Sequence, residues 1–349
     1  MSYASPPSSR PHHAYSTRYT YYTCSTDSTD SYRICLLHRL SSTPTYAYLR
    51  LPTLTHSDLL LPTLHYFAHQ VRFISKLEKG YKSRDDVPFH NRSHAADVVQ
   101  GTAYFLNQAA LKMHLQPLDV FALILSAAMH DHNHPGVTNA FLVHSQDELA
   151  TLYNDASVLE MHHLASSWKL LLGAQNNPFD GMSPEQYNEV RQTIIHVILG
   201  TDMKYHFDHL TKFKTRRGSG AFEAPDRKDV RLMLAMCLHS ADVGNPAKPW
   251  KLSCEWSARV MDEFFRQGDT EMSRGLPVSP FMDREKTDIA KCQIGFIKCE
   301  PHHLPRTPLI PALHTPHPCT SLPWPRALTR APSAALASSL LRAAALTVS

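Results

Sequence analysis

Two apolar runs, each ending in histidine and aspartate, constrain this 349-residue chain more than any other feature it carries. The first, LDVFALILSAAMHD from Leu118 to Asp131, is apolar nearly all round, as suits a helix in the centre of a bundle. The second, VRLMLAMCLHSAD from Val230 to Asp242, repeats the pattern and delivers His239 and Asp242 at its end. Imidazole and carboxylate at a buried helix end cost several kcal/mol unless they are partnered.

Helix-period apolar patterns recur from about residue 70 to about residue 297, and no segment alternates as a strand would, so an all-α, multi-helix bundle is expected. In SPEQYNEVRQTIIHVILG, Ser183 suits an N-cap, Pro184 the first helical position, Gln186 the closing residue of a capping box and Gly200 the stop. Residues 1–69 are rich in Ser, Thr, Tyr and Pro, with only Asp27, Asp30 and Asp58 as acids, and read as a weakly ordered leader. Residues 298–349 hold nine prolines between Pro301 and Pro332 and no acid after Glu300, and read as a disordered tail.

A chain of this length buries a core without disulfide or metal staples. Hydrophobic residues at 43% and charged residues at 19% fit a soluble globular protein, and a formal charge of +4 is too small for a nucleic-acid binder. The seven cysteines are scattered, odd in number and form no CxxC pair, so neither a thiolate zinc site nor a disulfide framework is indicated and a reducing compartment is expected. The opening MSYASPPSSRPHHAY lacks the apolar core of a signal peptide, and no uncharged apolar run is long enough for a membrane span, so a cytoplasmic location is expected.

Histidine is the abundant group, at 23, and it concentrates where metal chemistry needs it. In HNRSH, His90 and His94 stand four apart and would share a helix face. HDHNHPG supplies His130, Asp131, His132 and His134, and HSAD supplies Asp242. Imidazole with carboxylate suits zinc, or a harder ion such as magnesium or manganese, and a carboxylate can bridge two ions. Two ions bridged by hydroxide would attack a phosphodiester in line and stabilise charge on its equatorial oxygens, while a nearby histidine protonates the leaving oxygen. The residues alone define a metal-dependent phosphohydrolase.

Nine motifs in order, three of them extending the clusters above, sharpen this: LEKGY, VPFHNRSHAADVV, HDHNHPGVTNAF, LYNDASVLEMHH, ILGTDM, HSADVGNPAKPW, MDEFFRQGD, GLPVSPFMDREK and CQIGFI. With them the chain from about Phe73 to Ile297 resembles the catalytic domain of the class I cyclic-nucleotide phosphodiesterases, a branch of the HD phosphohydrolases. The resemblance implies an all-helical domain over residues 70–297, with a two-metal pocket holding zinc beside magnesium or manganese. It implies hydrolysis of a 3',5'-cyclic nucleotide, cAMP favoured over cGMP, to the 5'-monophosphate by a metal-bridged hydroxide. His94, His130, Asp131 and Asp242 would then hold metal, with Asp131 reaching both ions, and His90 would be the general acid. His134 and Glu160 would orient water or the acid histidine, and Thr201 would lie near the second ion's waters. Gln293 would hydrogen-bond the purine, with Phe296 stacking on it, Val260 opposite and Asn245 at the adenine-preferring position. His132, His162, His163 and His239 match motif positions and read as packing or hydrogen-bonding residues.

Two departures accompany the match. Phe89 stands where the family has tyrosine, and after Ile297 the sequence KCEPHHLPRTPLIP replaces further family helices. An incomplete C-terminal wall is therefore expected, leaving two alternatives open: a catalytically impaired cyclic-nucleotide-binding protein, or another HD-type metal-dependent phosphohydrolase.

Overall fold

The computed structural model describes residues 56–171 and 176–299. They fall almost entirely in one compact unit running from Leu60; of the unit before it, only the start of the first helix is described. The expected leader up to residue 55 and the expected tail from residue 300 lie outside the described residues. Among the described residues the structure is helical throughout, with no strand, and no helix is long and apolar enough to cross a membrane.

The helices are α1 (His56–Gly80), α2 (Arg92–Leu106), α3 (Ala109–Lys112), α4 (Pro117–Met129), α5 (Asn139–His144) and α6 (Glu148–Tyr153). They continue as α7 (Val158–Leu171), α8 (Pro184–Leu199), α9 (His206–Gly218), α10 (Arg227–Asp242), α11 (Trp250–Ser273) and α12 (Ile289–Cys299). The boundary expected near residue 70 falls inside α1, which starts well before it. Pro62 within that helix disguises its period, since a proline in a helix interior reads as a breaker.

The bundle is organised around α4, which packs against α2, α7, α8 and α10. Its core joins Phe73 and Leu77 of α1 to Val98 and Val99 of α2, Leu123 and Ala127 of α4, Ile194 and Ile198 of α8, and Leu234 and Leu238 of α10. Each of the Phe, Leu, Val and Ile side chains among them contributes roughly 1.5–3 kcal/mol of burial. Local chemistry sets the helix starts. Gln116 and Asp119 cap α4 reciprocally, Ser183 and Gln186 do so for α8, and Asp226 and Asp229 for α10.

Two glycines permit close approaches that position the site. A Cβ on Gly101 of α2 would lie 3.1 Å from Ala241 Cβ, so these helices meet at small residues beside Asp242. A Cβ on Gly268 of α11 would fall 1.9 Å from the Met282 carbonyl oxygen, so the chain after α11 folds directly back over that helix. Glu271 fastens the same return, accepting from the Ser279 backbone N–H at 2.7 Å, the Ser279 hydroxyl at 2.7 Å and Gln267 Nε2 at 2.8 Å.

Candidate metal centre and active site

Three segments converge on one point. The Asn91 side chain caps α2 by accepting from Ser93 N, which puts His94 in the first turn. Helix α4 ends at Met129 and delivers His130 and Asp131, while Asp242 is the last residue of α10. One ligand-type atom from each of His94, His130, Asp131 and Asp242 lies within 4.8 Å of the others. His94 Nε2 is 2.9 Å from Asp242 Oδ1 and 3.3 Å from Asp131 Oδ2. His130 Nε2 is 3.2 Å from Asp131 Oδ2 and 3.4 Å from Asp242 Oδ1.

The donor set fits a divalent cation. His130 Nδ1 lies 2.9 Å from the Ala127 carbonyl, which can only accept, so the proton sits on Nδ1 and Nε2 turns its lone pair toward the carboxylates. Asp131 Oδ2 is buried with no donor bonded to it. Lone pairs facing carboxylate oxygens repel one another, and a cation among them turns repulsion into coordination. Protons answer the same demand: burial opposes charge on both rings, yet Asp131 and Asp242 raise the pKa of His94 and His130 above the usual imidazole value.

Asp131 also faces a second group. Its Oδ1 is 3.8 Å from His163 Nε2, and Asp131, His134 and His163 form another cluster of ligand-type atoms. His163 Nδ1 donates to the His132 carbonyl at 2.8 Å, so its Nε2 lone pair faces the carboxylate, and burial lowers this ring to about 3. His134 differs: the Gly136 backbone N–H donates to its Nδ1 at 3.0 Å, so Nε2 carries the proton and offers a donor rather than a ligand. Burial, then the charge of His90, hold His134 well below the ordinary imidazole range.

His90 precedes α2 instead of riding on it, because the helix starts after the Asn91 cap, which corrects the shared-face expectation. The two rings nevertheless lie with centroids 5.7 Å apart. Glu263 of α11 fixes His90 completely. One carboxylate oxygen accepts from the backbone N–H of Phe89 at 2.8 Å and of His90 at 3.1 Å, and the other lies 2.5 Å from His90 Nδ1. Burial opposes the imidazolium, but the charge and hydrogen bond of Glu263 outweigh it and raise His90 to about 9. The His90 ring stacks on His134 with centroids 4.1 Å apart.

The remaining predicted residues are distributed around this core. Glu160 is buried in the first turn of α7 and accepts from Asn139 Nδ2 at 3.0 Å; burial and then Asp202 push it up to about 7. The Thr201 hydroxyl donates to the Ile198 carbonyl at 2.8 Å. Asn245 opens a short 3-10 turn and its Oδ1 is buried without a partner. Val260 is half-buried on α11, while Gln293 Oε1 accepts from the Ser257 hydroxyl at 2.9 Å. Phe296 stays 36% exposed, with Ile294 at 49% and Ile297 at 41% beside it on α12. Trp256, next to Ser257, stacks edge-on against Phe89 and His94, so α11 links the Gln293 region to the ligand cluster.

Sequence reading leaves out Glu263, Ser257 and the placement of His163 against Asp131. The signal for Glu263 was present: Trp256, Val260, Glu263, Gln267 and Glu271 recur at intervals of four and three, which sets an acid on the inward stripe of α11. Of the histidines expected to pack or hydrogen-bond, His132 Nδ1 pairs with the Ser166 hydroxyl, His162 with Asn133, and His239 with His206.

A helical bundle with clustered His and Asp groups able to hold a metal, beside a clamped histidine, is the type of site a metallohydrolase uses. Residues 89–304 match the family model described as 3'5'-cyclic nucleotide phosphodiesterase, and the chain belongs to that family. It is 37% identical over 268 residues to the human dual specificity calcium/calmodulin-dependent 3',5'-cyclic nucleotide phosphodiesterase 1C, covering 76% of this chain and 37% of that protein. It is 40% identical over 225 residues to the Caenorhabditis elegans probable 3',5'-cyclic phosphodiesterase pde-1, covering 64% and 33%. It is 40% identical over 226 residues to the Dictyostelium discoideum 3',5'-cyclic-nucleotide phosphodiesterase regA, covering 65% and 28%. The chain thus spans little more than a third, or less, of the length of these relatives.

Proposed function

We propose that this chain hydrolyses a 3',5'-cyclic nucleotide to the 5'-monophosphate, with its catalytic domain spanning the helices from α1 to α12. The observation that carries the reading is the convergence of His94, His130, Asp131 and Asp242 beside a His90 already clamped by Glu263. Those four would hold metal, zinc with magnesium or manganese, and Asp131 would reach both ions. Bound cations would supply a nucleophile from water near neutral pH and neutralise phosphoryl charge.

The chain's own groups do the rest. As the oxygen of hydroxide, formed from water that has given one proton to solvent, bonds to phosphorus, the bond from phosphorus to O3' breaks, its electron pair goes to O3', and His90 delivers the proton from Nε2. Glu263 keeps Nδ1 of that ring occupied and the ring charged at neutral pH. His134 and Glu160 would orient the attacking water or His90, and Thr201 would lie near the second ion's waters. For the base, Gln293 would hydrogen-bond the purine edge, with Phe296 and Val260 on its two faces.

A preference for cAMP over cGMP draws support from Asn245. Its Oδ1 is a buried acceptor without a donor, which suits the exocyclic amine of adenine better than the carbonyl of guanine. The test is hydrolysis of both nucleotides by the purified chain loaded with magnesium or manganese. Normal metal binding without turnover of either nucleotide overturns the reading.

One observation favours a second reading, a nucleotide-binding protein of impaired activity. Ile294, Phe296 and Ile297 leave the apolar side of α12 open, on the helix that also carries Gln293. Calorimetric binding of cAMP without turnover would select it. Conversion of other phosphoesters, with neither cyclic nucleotide consumed, would instead select a different HD-type phosphohydrolase.

A further inference from the structure

A cavity of about 460 Å³ opens between the start of α7, the end of α8 and the first turns of α9. None of its lining residues belongs to the ligand cluster or to the purine-facing set. Its polar lining is mostly basic: His196 from α8, with His209 and Lys212 one turn apart on α9. Asp208 is the one carboxylate among the lining residues. The other wall is apolar, formed by Tyr205, Leu199 and the half-exposed Met161.

Three features of this cavity ask for an anion. His196 Nε2 is shielded from solvent and has no hydrogen-bond partner, an arrangement that costs free energy until something fills it. Burial first and then the charge of Lys212 depress both imidazoles, with Asp208 and Asp202 opposing at His209, so the rings stand neutral as hydrogen-bonding groups and Lys212 supplies the cation of the lining. The Tyr205 ring, 6.4 Å from that of His209 and perpendicular to it, has the Lys204 ammonium over it at 5.6 Å and so brings an aromatic surface and a further cation beside the basic groups. A free inorganic anion would use the basic groups and leave the apolar wall unsatisfied.

We propose that this cavity binds an organic phosphate with a flat apolar body, the phosphate toward Lys212, His209 and His196 and the ring against Tyr205 and Met161. Pockets that combine an apolar lining with a few convergent polar groups are the usual form of small-molecule sites. The inference stands apart from the hydrolytic reading, because the two sets of residues do not overlap.

The test is methyl NMR of the metal-loaded full chain labelled at its methionine methyl groups, with Met161 assigned through Met161→Leu. Phenyl phosphate is the probe, and inorganic phosphate the comparison. The Met161 resonance should move saturably with phenyl phosphate, and inorganic phosphate should be needed at higher concentration to produce less movement. Lys212→Met, at an exposed position where the fold does not depend on the side chain, should weaken the response about tenfold, as expected for one charge-assisted hydrogen bond. A Met161 resonance that stays fixed under saturating phenyl phosphate overturns the proposal. So does a response unchanged by Lys212→Met, or one that inorganic phosphate matches.

Discussion

Glu263 and His90, 173 residues apart, are joined through three contacts: the carboxylate takes the ring nitrogen Nδ1 and the backbone N–H groups of Phe89 and His90. Few side chains are so fully defined by one partner. The clamp settles both the direction of the ring and its charge.

Replacing that carboxylate tests the charge separately from the position. In Glu263→Gln an amide can still accept from the backbone, but burial then acts on His90 with only Asp131 and Asp242 opposing it, and its pKa falls. A general acid works only while protonated, so activity must fall as pH rises through that pKa. The alkaline limb of the kcat profile should shift to lower pH by about one unit or more, with KM little changed. An alkaline limb that stays in place removes His90 as the proton donor.

Removing the cation tests the ligand cluster. Chelator should abolish hydrolysis and also lower the melting temperature, since an ion bound only by the folded state at a hundredfold excess over its Kd stabilises it by about 2.7 kcal/mol. For a domain of this size that corresponds to roughly 5–10 °C. Added metal should restore both, and less efficiently in acid, where protons compete for His94 and His130. Chelator that leaves melting unchanged would show that the four side chains are satisfied without an ion.

Gly268→Ala probes the return of the chain over α11. Its new methyl would meet the Met282 carbonyl, which is backbone and cannot rotate away. A loss of about 2–4 kcal/mol is expected by differential scanning calorimetry, against less than half that for substitutions on exposed faces. Stability equal to that of the parent chain would mean that the segment around Met282 is free to lift.

Ser257→Ala tests how the Gln293 amide is held. The serine hydroxyl donates to Oε1 and so anchors the amide against α11. Without it the amide can rotate to suit either purine, so the ratio of kcat/KM for cAMP to that for cGMP should move several-fold toward unity. An unchanged ratio would place selectivity elsewhere, with Asn245 the next residue to vary.

The all-helical architecture was legible because the runs ending at Asp131 and Asp242 are too apolar to lie on a surface, and the capping residues Ser183 and Gln186 act locally. The ligand cluster was legible for the same reason, since buried His and Asp at helix ends require a common partner. What escaped was set by tertiary contact. Glu263 belongs to an inward stripe with Trp256 and Gln267, and only the packing of α11 tells that stripe from a solvated face. His90 looked helical because spacing alone cannot reveal that Asn91 is the cap. The start of α1 was hidden by Pro62, which reads as a breaker in the sequence.

The ligand set has a kinetic consequence. His94 and Asp242 are 148 residues apart, and their coordinating atoms lie together only once α2 and α10 have docked at Gly101 and Ala241. Loop closure over that span precedes any gain from the ion, so the ion cannot serve as a nucleus for folding. An ion held there would tighten the native state after the transition state has passed. Metal should therefore slow unfolding while leaving the refolding rate nearly unchanged, and the bound ion acts as a latch on a bundle assembled without it.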